Sequence, residues 1–148
     1  MANEYPIWWD KTITVYNKFV DPLTSVVKWF RHIIPDCFID DTPQMYIAGN
    51  VMAQSSDVIC RIRESENYKS KAEWQKLPND QMSGYFTISQ GDIVVFDEVD
   101  DEIADVSGHR ATDLLSKYKD AQGAITVKRF SDNTGAGCVM PHYYITGD

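Results

Sequence analysis

The stretch from Trp8 to Asp41 constrains the fold of this chain more than any other. Within it, residues 12–19 (TITVYNKF) alternate: Ile13, Val15 and Asn17 face one way, and Thr14, Tyr16 and Lys18 the other. The run is rich in β-branched and aromatic side chains, as a half-buried strand requires. Residues 20–25 break it, and Asp21-Pro22 starts a turn because the proline ring presets φ at the second turn position. Residues 26–34 return as a second strand, with Val27, Trp29, Arg31 and Ile33 on one face and Val26, Lys28, Phe30, His32 and Ile34 on the other. Both faces carry apolar side chains, so both need cover, from the one helix of the chain or from another subunit. Pro35 is expected to stop the ladder, with residues 37–39 as a short continuation. At the mouth of the hairpin, Trp8 and Trp9 predict one ring in the core and one over an edge or a neighbour.

The rest of the chain keeps to a β pattern. Residues 40–54, with Pro43 and Gly49-Asn50, read as a loop. Residues 57–63 (DVICRIR) read as a third strand with Val58, Cys60 and Ile62 inward. The polar stretch 64–80 holds a short helix at 71–77, ended by Pro78. Residues 85–88 and 92–96 read as strand segments bent at Gly91. One amphipathic helix is expected from Ser107 to Ala121, with Leu114, Leu115 and Tyr118 as its stripe, Thr112 or Ser107 as its cap and Gly123 past its end. Residues 124–130 form a strand, 131–137 a glycine-rich turn, and 139–146 the closing strand with Pro141 inside it. The expected fold is mainly β: a small antiparallel barrel or sandwich with long inserted loops and one helix, in a single domain over residues 1–148.

A chain of 148 residues buries about 70% of its unfolded surface, enough to fold without disulfide or metal. The net charge of −8 argues against a protein that grips nucleic acid by its phosphates. It suits a surface past which DNA moves without sticking. Cys37, Cys60 and Cys138 are odd in number and widely spaced, which reads as reduced thiols in an intracellular setting. No signal peptide and no bilayer-spanning run is recognisable, so no membrane association is expected.

No motif announces chemistry. Asp97, Glu98, Asp100, Asp101 and Glu102 place five carboxylates in six residues, but without the turning glycine or the alternation of a calcium loop. They read first as a solvated loop, then as a contact for a basic partner or a DNA-repelling lumen. His32 with Cys37, and Cys138 with His142, are spaced as pairs of zinc ligands, with nothing to complete the set. The segment 134–137 holds GxG with no helix after it, and no G-x-S-x-G occurs. Trp29, Phe30, Trp74, Tyr85 and Phe86 could stack single-stranded nucleic acid, but core packing is the better reading in an acidic chain. The residues argue against an enzyme, a cofactor or a metal.

Three segments carry a resemblance: residues 12–40, residues 77–103 (LPNDQMSGYFTISQGDIVVFDEVDDEI) and residues 108–147, which close on a turn, Pro-His-aromatic, a strand and Gly. Together they resemble small head–tail connector proteins of tailed bacteriophages and prophages of Firmicutes-type hosts, in the stopper, head-closure or "minor capsid" class. The resemblance implies a non-catalytic β-barrel made in the bacterial cytoplasm and built into the virion. It implies a ring, commonly a hexamer, between portal-adaptor and tail proteins, with DNA passing through it unbound. Residues 40–57 and 64–84 exceed what a minimal barrel needs, and long loops of this class serve as lumen plugs or tail-docking arms. Trp8, Trp9, Pro43, Met45, Tyr46 and the five carboxylates of 97–102 are therefore the expected interaction residues. The competing expectation is an acidic phage protein that mimics DNA and inhibits a host nucleic-acid-binding protein.

Overall fold

A computed structural model describes residues 5–40, 44–49, 51–55, 57–119, 121–135 and 140–148; of residues 44–48 and 51–55 it describes the backbone alone. Among the described residues eight strands occur: β1 (Lys11–Val20), β2 (Val27–Asp40), β3 (Gln44–Ala48), β4 (Val51–Ser55), β5 (Val58–Arg63), β6 (Ile93–Val95), β7 (Ala124–Asn133) and β8 (His142–Gly147). Six of them close into an antiparallel barrel in the order β1-β2-β5-β8-β7-β6, while β3 and β4 form a separate two-stranded sheet. The mainly β expectation and the hairpin of β1 with β2 hold. Among the described residues no helix is long and apolar enough to cross a membrane.

The hairpin turn works as its residues dictate. The Asp21 carboxylate accepts the N–H groups of Leu23 (2.8 Å) and Thr24 (3.3 Å), and Ser25 takes φ 60° to complete the reversal. Pro35, however, does not end the second strand. Asp36 adopts φ 59°, the pairing to β1 slips between Ile13 and Lys11, and the strand continues with β5 as its partner, Phe38 opposite Arg61. A proline is tolerated there because it sits where the ladder is already interrupted. β7 makes a similar exchange, pairing β6 through Ala124 to Thr126 and then β8. These two long strands turn the corners that close the barrel.

Ile13, Val15, Ile34, Cys37, Cys60, Ile62, Val94, Ile125, Val127, Tyr143 and Ile145 fill the barrel, so the inward faces of β1 and β5 are those the alternation predicts. Asn17 also points inward and is fully buried. The 64–92 segment supplies further core residues, Phe86 and Ile88, and packs Trp74 and Met82 against Phe19 at one end. Outside the barrel, Tyr16, Ile93, Val95 and Val99 pack with Leu114 and Tyr118, which answers what covers the outer face of the hairpin.

Several boundaries differ from expectation for local reasons. The helix expected over 107–121 is α2 (Ala111–Tyr118): Gly108 takes φ 87° and Arg110 is extended, so no helix begins before Ala111. Asp113 accepts the Arg110 N–H at 3.1 Å and anchors that start, and Gly123, at φ 100°, donates to the Tyr118 carbonyl at 2.8 Å to end it. The helix expected at 71–77 is one turn, α1 (Lys71–Trp74), capped by Ser70. Residues 85–88 are not a strand: Phe86 makes one bridge with Tyr68, and Thr87 bonds the Asn17 side chain through both its backbone groups. The loop expected at 40–54 is the hairpin β3–β4, reversed at Gly49 with φ 66°. β7 runs further than expected, to Asn133, and β8 begins after Pro141 rather than across it.

Candidate interaction surfaces

The acidic run leaves β6 and crosses the outer faces of β1 and β2 as a fastened strap. Thr14 Oγ1 donates to the Asp97 carbonyl (2.7 Å) and accepts the Val99 N–H (3.1 Å), while the Tyr16 hydroxyl donates to the Asp101 carbonyl (2.6 Å). Arg31, opposite Tyr16 in the ladder, donates to the Val99 carbonyl (2.8 Å) and to the Glu102 carboxylate (3.1 Å). Lys117 and Tyr118 of α2 donate to the two oxygens of Asp101 at 2.8 and 2.6 Å. Those hydrogen bonds, from Lys117 first and then Tyr118, hold the Asp101 carboxyl below its ordinary value. Burial, with Asp101 beside it, pushes the Tyr16 phenol well up, so it remains a donor.

The strap is therefore more than a solvated loop. Asp101 and Glu102 tie it to the helix and to β2, and the Asp97 carboxylate accepts the Glu98 N–H at 2.8 Å. Glu98 is exposed, and the Asp100 side chain is fully exposed with Arg31 3.8 Å away. Among the described residues no three His, Cys, Asp or Glu are placed to hold a metal. His32 stacks on Phe86 and bonds the Ser83 carbonyl (2.8 Å), Cys37 and Cys60 are free and buried in the core, and Cys138 lies outside the described residues.

The adjacent tryptophans divide. Trp9 is 4% exposed, against Tyr5, Phe38 and His142, while Trp8 is 63% exposed. Arg63 Nη2 donates to the Trp9 carbonyl (2.9 Å), which anchors the N-terminal segment to β5. Met45 and Tyr46 lie in β3, their side chains outside the described residues, as is Pro43. The structure thus separates the predicted interaction residues into the strap on β1 and β2, the N-terminal segment by β8, and the hairpin inserted between β2 and β5.

Sequence reasoning missed three features. Asp92 is fully buried, and its carboxylate accepts from Asn17 Nδ2 (2.9 Å), Lys18 N–H (3.0 Å) and Ser89 N–H (3.0 Å). Burial raises its pKa, against the pull of those donors. The second is a groove of about 530 Å³ lined by Val26, Val27, Trp29, Ile103 and Ala111, with Arg110 and Asp105 at its rim. The third is a groove of about 480 Å³ on the outer face of β5, β8 and β7, lined by Arg61, Arg129, Ser131, Asn133, His142 and Tyr144. The alternation of DVICRIR, with its arginines on the outward face, was the available signal for the last.

The sequence profile of DUF6751, a family of unknown function, matches residues 8–148. The chain belongs to that family. The match begins at Trp8 and takes in the barrel, the β3–β4 hairpin, the strap and α2, so these are all parts of the DUF6751 unit. No curated protein and no solved structure matches the chain.

Proposed function

We propose that this DUF6751 chain is a non-catalytic structural protein of a tailed-phage virion, a head–tail connector of the stopper kind. It assembles as a ring between portal-adaptor and tail. The observation that carries this reading is the distribution of strand edges. The six barrel strands pair in a closed order, each with two neighbours, although parts of β2 and β7 bond a strand on one side only. Among the described residues β3 and β4 bond only to each other, so each retains a row of backbone donors and acceptors. Such rows pair with a strand of another chain. The chain leaves the barrel after Asp40 and returns at Val58, and Asp40 lies opposite Ile59 in the β2–β5 ladder. The hairpin is therefore an arm inserted at one point, able to engage a neighbour without opening the barrel.

Exposed carboxylates on the strap and a net charge of −8 fit a surface past which DNA moves unbound. The DNA-mimic reading has less support. It needs carboxylates displayed at phosphate-like spacing, whereas Asp101 and Glu102 are engaged by Lys117 and Arg31.

The test mixes the purified full chain with portal–adaptor complexes of a phage or prophage that encodes it, followed by pull-down and negative-stain imaging. Ring density on the complex is expected from the full chain. A variant with residues 42–56 replaced by a short Gly-Ser turn should remain folded but fail to join. A full chain that never binds the complex would sink the proposal.

A further inference from the structure

In this acidic chain the outer face centred on β8 is basic. Three of the five arginines, Arg61, Arg63 and Arg129, lie on β5 and β7 at its two sides. The Arg61 guanidinium sits 5.4 Å from the Phe38 ring and 5.3 Å from the Tyr144 ring, with no carboxylate bonded to it among the described residues. Arg129 is exposed and makes no hydrogen bond or ion pair among the described residues. Among the described residues the groove they line has no carboxylate in its wall. A guanidinium held against aromatic faces has already given up rotamer freedom, and its planar fork of N–H groups matches a carboxylate.

We infer that this groove receives the 97–102 strap of a second copy of the chain, with Glu98 and Asp100 as the entering carboxylates. The inference rests on the ring reading above and names its contact. Charge complementarity selects the occupant: the groove is basic and the strap presents the exposed, least engaged carboxylates. Position supports it as well. In the barrel order, β8 is three strands from β1 by either route. The strap on β1 and β2 and the groove on β8 therefore lie on opposite sides. Two different patches on opposite sides make a head-to-tail contact, which closes into a ring when the rotation per subunit divides the circle. Nucleic-acid phosphate is the poorer occupant for a chain of net charge −8.

The test is sedimentation velocity on the full chain and two charge-reversed variants. Arg61→Glu with Arg129→Glu removes the groove and keeps the strap; Glu98→Lys with Asp100→Lys does the reverse. The wild-type chain should associate at low salt and disperse as salt is raised. Each variant alone should be monomeric, with an unchanged circular dichroism spectrum. Their mixture should associate again, because every contact between unlike variants sets a strap against a groove of opposite charge. A wild-type chain monomeric up to about 1 mM overturns the inference, as does a mixture that stays monomeric. If both variants associate as the wild type does, the groove contact is wrong while ring assembly stands. If the wild type is monomeric yet joins the portal complex, the neck reading survives without this contact. An oligonucleotide bound by the wild type and lost in Arg61→Glu with Arg129→Glu would reassign the groove to phosphate. Should the double glutamate variant not fold, Arg129→Ser must still weaken association by about tenfold.

Discussion

Two opposite faces of one barrel are finished differently. On the outer face of β1 and β2, the chain supplies its own cover: the strap and α2 bury Tyr16 completely and bring Glu102 to Arg31. Among the described residues no such cover reaches the outer face of β5, β8 and β7, where Arg61 has rings for neighbours but no carboxylate. The closed ladder is common to both faces. What differs is whether a carboxylate partner of the arginine lies among the described residues. Residues of the covered face should therefore govern stability, and those of the bare face should govern association.

The largest effect is expected at Tyr16. Its ring is fully buried and its hydroxyl is bonded to the strap. Tyr16→Ala should lower the unfolding free energy by about 3–5 kcal/mol, as large-to-small changes in packed aromatic sites do. Tyr16→Phe keeps the packing and removes one buried donor, for a loss of about 1–2 kcal/mol. Urea unfolding followed by fluorescence measures both. A Tyr16→Phe chain as stable as the wild type would mean the strap is held without that bond, and the two faces would differ less in what they contribute to stability.

Next in size is the pH dependence of the cover. Asp101 is held below its ordinary 3.8 by Lys117 and Tyr118, so its ionised form favours the folded state. Its contribution is in place above the unfolded value and is lost as pH falls through the folded one. Asp101→Asn should therefore cost about 1 kcal/mol at neutral pH, a figure kept small because the pair is partly exposed, with the difference vanishing in strong acid. Asp92 has the opposite sign. Burial raises its pKa, so between 3.8 and its folded value the folded chain holds the extra proton and stability falls as pH rises. Carboxyl NMR titration should find Asp101 below 3.8 and Asp92 above it. The reverse order would mean the strap is not fastened as described.

The legibility of these features in the sequence follows the same division. Alternation identified the inward faces of β1 and β5, because burial on one side of a strand leaves a period of two. It could not show that β2 runs through Pro35, since the exchange of partners at Asp36 is a property of barrel closure. The β3–β4 hairpin was signalled by Gly49-Asn50 between two short runs, but Pro43 drew the reading towards a loop. The carboxylates of 97–102 were visible as a cluster. That Arg31, Lys117 and Tyr118 would fasten two of them was not, because those partners lie on other elements brought alongside only by folding. The bare arginines stayed hidden for the same reason: net charge sums over the chain, whereas a surface is read face by face.

The smallest effect on stability is expected at Arg129, and it is the most direct probe of the comparison. Its side chain is exposed and makes no hydrogen bond or ion pair among the described residues. Arg129→Ser should therefore change the unfolding free energy by less than about 0.5 kcal/mol. Arg61→Ser should cost somewhat more, about 0.5–1 kcal/mol, because the guanidinium leaves the Phe38 and Tyr144 rings. Parallel unfolding curves for these two variants and Tyr16→Phe give the ranking directly. If Arg129→Ser were as costly as Tyr16→Phe, the bare face would be holding the barrel together after all. A small cost leaves Arg129 without a structural task among the described residues, in a groove where they present hydrogen-bond donors and no carboxylate.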